Sequence, residues 1–165
     1  MFDAVVPAST AVGTYPASAL AAPALVSGLL TISGATTLSG TGTVDGAGVV
    51  SVLGFFTWNG GNAAGTGTLE LHGGFSITSN SDISISSRVI QNYGLGNWIA
   101  GRLVGGSGAV IQNLLGGTMI LTNYECSVAL VNEGTLVHNR SSSPVILSGS
   151  FINRGLFTTN SAIQF

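Results

Sequence analysis

Four times the chain runs from an apolar pair through asparagine and a short gap to glycine. The four asparagines, Asn92, Asn113, Asn132 and Asn153, stand 21, 19 and 21 residues apart. The segments are Val89-Ile90-Gln91-Asn92-Tyr93-Gly94, Val110-Ile111-Gln112-Asn113-Leu114-Leu115-Gly116-Gly117, Leu130-Val131-Asn132-Glu133-Gly134 and Phe151-Ile152-Asn153-Arg154-Gly155. A repeat of about 20 residues is one supersecondary unit that cannot bury its apolar face alone, so successive units must stack. Working backwards, Gly74 and Gly54 keep a 20-residue step, which puts His72 and Val52 in the asparagine position; Gly28 opens a longer first coil.

Between these corners the residues favour strands, as in Phe55-Phe56-Thr57-Trp58, Thr118-Met119-Ile120-Leu121 and Thr135-Leu136-Val137-His138. Glycine reaches positive φ at low cost, and asparagine tolerates the left-handed region while bonding nearby backbone. A second polar corner recurs at Asn59, Asn80, Asn123, Asn139 and Asn160. No segment keeps a helical apolar period. The expected fold is all-β: a single-stranded parallel β-solenoid, or β-helix, taken as right-handed, with about six coils of ~20 residues over residues 28–165. Residues 1–27 form an N-terminal extended segment or cap, because Val5-Val6-Pro7 and Tyr15-Pro16 disfavour a helix.

Stacking turns residues one period apart into neighbours. Asn92, Asn113, Asn132 and Asn153 are then expected to form an inward structural ladder, each amide bonding the next and the local backbone. Counting from the corner glycines brings Asp82, Arg102 and Glu125 into one column of alternating charge, and Glu133 beside Arg154. Such columns mark register.

Composition narrows the function. Charged residues are only 6% of the chain, lysine is absent, and the net charge is −2. A nucleic-acid partner is excluded, since phosphate binding needs clustered Lys and Arg. Gly, Ser, Thr and Asn interrupt every apolar run, so no membrane span is expected. Cys126 is the only cysteine and reads as a small packing residue.

No catalytic, metal or cofactor residues are assigned. Arg102 between Asp82 and Glu125 opposes the raised carboxyl pKa that a general acid needs. Glu70 and His72 share a strand face without a nucleophile or further ligands. Gly40-Thr41-Gly42-Thr43 and Gly105-Gly106-Ser107-Gly108 lack the lysine and helix of a phosphate loop. Trp58 and Trp98, each four residues after a corner glycine, are the candidates for glycan or partner contact, with Thr78 expected between them. Facing outward they would offer rings for stacking; facing inward they are core.

Asn-x-Gly followed by a strand run, repeated every 20 or so residues, resembles the β-helical passengers of bacterial autotransporters and filamentous-haemagglutinin-like adhesins. The segment from Phe56-Thr57-Trp58-Asn59-Gly60-Gly61 to Gly65-Thr66-Gly67-Thr68-Leu69 is similar to coils of repeat-rich surface proteins. The resemblance covers roughly residues 29–165. It implies a non-catalytic structural or adhesive surface module that self-associates into a fibre, trimer or layer, located outside the cell or on its surface. A carbohydrate-binding or carbohydrate-cleaving β-helix, or a virion fibre or spike segment on a virion surface, is the alternative. Met1-Phe2-Asp3 has no positive leader stretch, so a removed leader or a longer parent chain is expected. Ser161–Phe165 stops part-way through a coil with no charged or helical cap, which favours a homo-oligomer or polymer, or continuation of a longer chain.

Overall fold

A computed structural model describes residues 13–15, 18–20, 23–122, 125–139, 145–160 and 162–164. The described residues contain strands and turns and no helix. All strand pairing is parallel, and each coil contributes to three ladders that make the sides of a prism.

The first side is an eight-stranded sheet that starts at Gly13–Tyr15 and ends at Phe151–Asn153. Leu30, Val50, Leu69, Ile90, Ile111, Leu130 and Phe151 follow one another across it, which amounts to six turns of the solenoid. The second side runs from Ser18–Leu20 through Phe75–Thr78, Leu95–Ala100, Thr118–Leu121 and Thr135–His138 to Leu156–Thr159. The third includes Ile83–Ile85, Leu103–Gly105, Glu125–Cys126, Val145–Leu147 and Ile163–Gln164. In two early coils one long strand, Thr36–Asp45 or Phe56–Ala63, bends from the second side to the third, with an irregular register between Gly40 and Thr43. Gly40 and Gly61 take positive φ at that bend, 60° and 77°.

The described part of the segment before residue 28 is extended. Its strands Gly13–Tyr15, Ser18–Leu20 and Pro23–Leu25 pair in parallel with the following coil. Residues 1–12 lie outside the described residues.

Strand geometry sends alternate side chains inward, and burial alternates accordingly: Ile90 and Asn92 are buried, Val89 and Gln91 half-buried. The inward side chains form one continuous core from Val26 to Leu147. Each fully buried aliphatic or aromatic side chain there contributes about 1.5–3 kcal/mol relative to exposure.

The register corrects two sequence expectations. The asparagine column continues backwards through Leu71, Val52 and Ile32, not through His72. The step from Val52 is 19 residues, so counting by 20 slips one place and lands on an outward position. For the same reason Ile77, not Thr78, stands between Trp58 and Trp98; Thr78 pairs with Ala100 after a bulge.

Candidate functional site

The asparagine file occupies the corner between the first and second sides. Asn92 Nδ2 donates to Asn113 Oδ1 at 2.8 Å, Asn113 Nδ2 to Asn132 Oδ1 at 2.7 Å, and Asn132 Nδ2 to Asn153 Oδ1 at 2.7 Å. Each Nδ2 also reaches backbone carbonyls across the corner, such as Thr118 O from Asn92, Thr135 O from Asn113 and Leu156 O from Asn132. Asn92, Asn113 and Asn132 are fully buried. A side-chain amide suits the place because its N–H groups reach the next amide oxygen and the carbonyls across the turn at once, while its own oxygen accepts from the coil before. The lateral neighbours Gln91 and Gln112 repeat the pattern outside, Nε2 to Oε1 at 2.8 Å.

Arg88 forms a second buried polar centre that the sequence did not announce. Its side chain is completely buried at the corner between the third side and the first. Nε donates to Ala64 O at 2.5 Å, and Nη2 to Gly46 O at 2.8 Å, so one guanidinium joins three successive corners. Nη1 adds Thr68 O at 3.3 Å. Burial lowers the Arg88 pKa, and the Asp45 charge partly opposes this. Asp45 Oδ1 in turn accepts from the Gly46 amide at 2.6 Å. Glycine is required at that corner: Gly65 has φ +81°, and a Cβ there would lie 2.3 Å from Gly46 O. An arginine after two serines reads as an ordinary surface cation. Only the carbonyl-lined glycine corners of earlier coils could have marked it as inward.

On the third side Arg102 bridges two coils. It donates from Nε to Asp82 Oδ1 at 3.2 Å and from Nη1 to Glu125 Oε1 at 3.3 Å. The hydrogen bond from Arg102 holds the Asp82 carboxyl below its ordinary value, against a smaller opposing desolvation, with Coulombic attraction to Arg102 as the lesser aid. At the asparagine corner Arg154 Nη1 meets Glu133 Oε1 at 3.3 Å.

Trp58 and Trp98 both face inward, each 1% exposed. Both stand on the inward row Leu38, Trp58, Ile77, Trp98 and Leu121, and Trp58 shares its strand face with Phe56 two residues before it. Neither presents a ring to solvent: the two are core side chains and offer no glycan or partner contact. Trp98 Nε1 donates to Gly101 O at 2.8 Å, whereas Trp58 Nε1 has no hydrogen-bond partner. The His72 ring stacks on Tyr93 at 4.4 Å with planes 13° apart, and His72 Nε2 lies 3.3 Å from Glu70 Oε2.

The second polar corner holds a shallow groove of about 370 Å³, lined by Asn59, Asn62, Asn80, Ser79, Ser81 and Asp82 among glycines. Asn160 Nδ2 donates to Asn139 Oδ1 at 2.9 Å further along. Asn123 lies outside the described residues. Cys126 is buried, and burial pushes its thiol up to about 11. Among the described residues no three His, Cys, Asp or Glu side chains gather to hold a metal ion. No described helix is long and apolar enough to cross a membrane.

Compared with known proteins, the chain matches no family model, no curated protein and no solved structure. Of the resemblance to autotransporter passengers and haemagglutinin-like adhesins, the β-solenoid is what the structure carries; no family match supports the rest.

Proposed function

We propose that this chain is a non-catalytic structural or adhesive surface module, acting outside the cell or on its surface and assembling with copies of itself into a fibre, trimer or layer. One observation carries the reading: the chain's strongest polar groups are engaged along the coil axis. The asparagine file, the Arg88 guanidinium and the Asp82–Arg102–Glu125 column each tie one coil to the next. A scaffold under lateral or axial load needs such bonds, whereas a reaction centre needs groups left free to act on a substrate. Scarce charge, at 6% of residues, leaves little electrostatic repulsion to keep copies apart.

The carbohydrate reading lost its aromatic platform with the burial of Trp58 and Trp98. It now rests on the polar groove at Asn59, Asn62 and Asn80 alone. A virion fibre or spike segment would show the same assembly. Light scattering of the full chain across micromolar concentrations, with electron micrographs of the same samples, tests the proposal. Assemblies with a regular outline support it; a monomer at every concentration overturns it.

A further inference from the structure

The three sides of the prism differ in charge. Glu70 stands on the outward row of the first side, and Asp82, Arg102 and Glu125 line the third. The second-side parts of its strands, up to the bend at Gly40 and Gly60 in the two long ones, carry no Asp, Glu, Arg or Lys; Asp45 lies past that bend, on the third side. The one ionisable side chain on those second-side parts is His138, which points inward and is fully buried. Its outward row reads Thr57, Ser76, Asn97, Ile120, Val137 and Thr158: short, uncharged side chains on a parallel sheet.

Exposed apolar groups gather on the same side. Of the ten large hydrophobic side chains exposed among the described residues, only Leu25, Leu29 and Ile152 lie elsewhere. The others stand on the second side or on its asparagine corner; Phe55, Leu95, Ile99 and Leu156 are 43%, 51%, 55% and 59% exposed. Scattered single apolar residues need no explanation, but a charge-free sheet face and its bordering corner, which together collect seven of the ten, with Glu133 and Arg154 at that corner paired to each other, mark an interaction surface.

We propose that this second side is the face on which a second copy of the chain docks, sheet against sheet. The inference rests on the self-association proposed above and names its surface. Two such faces can close to about 10 Å without burying an unpaired charge, because the one ion pair at the corner, Glu133 with Arg154, is matched within each copy. Seven strands at about 4.8 Å by a width of about 20 Å, corner included, give roughly 1,300 Å² over both copies, within the range of a stable interface. Identical patches pair about a two-fold axis. Leu95–Ala100 is the middle one of the seven strands from Thr36–Asp45 to Leu156–Thr159, so the axis passes near Asn97 and brings it against its own copy.

The full chain carrying Asn97→Arg tests the face, with Ser84→Arg on the third side as the control, since Ser84 is exposed there. Circular dichroism and tryptophan emission, read from the buried Trp58 and Trp98, verify folding of both variants. Asn97→Arg should weaken assembly at least tenfold in midpoint concentration, and Ser84→Arg should leave it unchanged. Separately, Asn97→Cys should form covalent dimers with a short bis-maleimide, because Cys126 is buried and does not compete. Wild-type assembly that persists in Asn97→Arg, with no cross-link at Asn97→Cys, overturns the face while leaving self-association intact. A wild type that stays monomeric throughout removes both.

Discussion

Asn113 donates its side-chain amide to Asn132 at 2.7 Å across one coil step, and both residues are completely buried. That contact makes register a matter of hydrogen-bond satisfaction as well as of apolar packing. A slip of one residue would turn both amides outward and take the Asn113 donor away from Asn132 Oδ1 and Thr135 O.

Asn113→Leu therefore removes a donor that serves three acceptors in the core. The expected loss is about 3 kcal/mol, since the deserted partners stay buried. Asn153→Leu, at the exposed end of the file, should lose under about 1 kcal/mol. Urea unfolding of the two variants measures the difference.

Arg88→Met keeps the volume and takes away three carbonyl contacts, so Ala64 O loses its charged donor and Gly46 O keeps only the Gly67 amide. A loss of about 3 kcal/mol is expected. Arg88→Lys should recover little of it, because a point ammonium cannot span three corners as a guanidinium fork does. Amide hydrogen exchange should speed up at residues 46–68 in both variants.

These two residues show how unevenly the sequence could be read. The period, the asparagine file and the Arg102 and Arg154 pairings were legible because each repeats or alternates at the coil spacing. Arg88 repeats nothing, so its inward direction emerged only from three-dimensional stacking. His72 was misplaced because one coil is a residue short, and parity in a strand is unforgiving of a single step. Trp58 and Trp98 could have been oriented from sequence: Phe56 and Trp58 are two apart and must share a face. The strands Gly13–Tyr15, Ser18–Leu20 and Pro23–Leu25 are not legible as repeat elements because no asparagine stands between them.

Trp98→Phe should destabilise more than Trp58→Phe. Both lose indole packing, but only Trp98 loses a hydrogen bond, from Nε1 to Gly101 O; Trp58 gives up a buried donor that has no partner. The expected gap is about 1 kcal/mol in chemical denaturation. Equal losses would show that Trp58 Nε1 is satisfied in solution.

The Asp82 carboxyl is depressed by Arg102, so its contribution is present above the ordinary carboxylate pKa and is lost as pH falls through its lowered folded value. Asp82→Asn should be slightly less stable than wild type at neutral pH, and the two should converge in strong acid. Salt should shrink the neutral difference, since the pair is exposed. Urea midpoints over a pH series read this directly.

Cys126, with its thiol pushed up to about 11 by burial, should resist a thiol reagent at neutral pH in the folded chain and react rapidly once urea unfolds it. Fast labelling without denaturant would mean that the coil around Glu125–Cys126 opens locally.

The most direct measurement is by nuclear magnetic resonance, of through-space contacts among the side-chain amides of the four asparagines. Contacts running only Asn92 to Asn113, Asn113 to Asn132 and Asn132 to Asn153 are the expected result. A missing step, or a direct contact between Asn92 and Asn132, would contradict a chain whose turns lie one upon another.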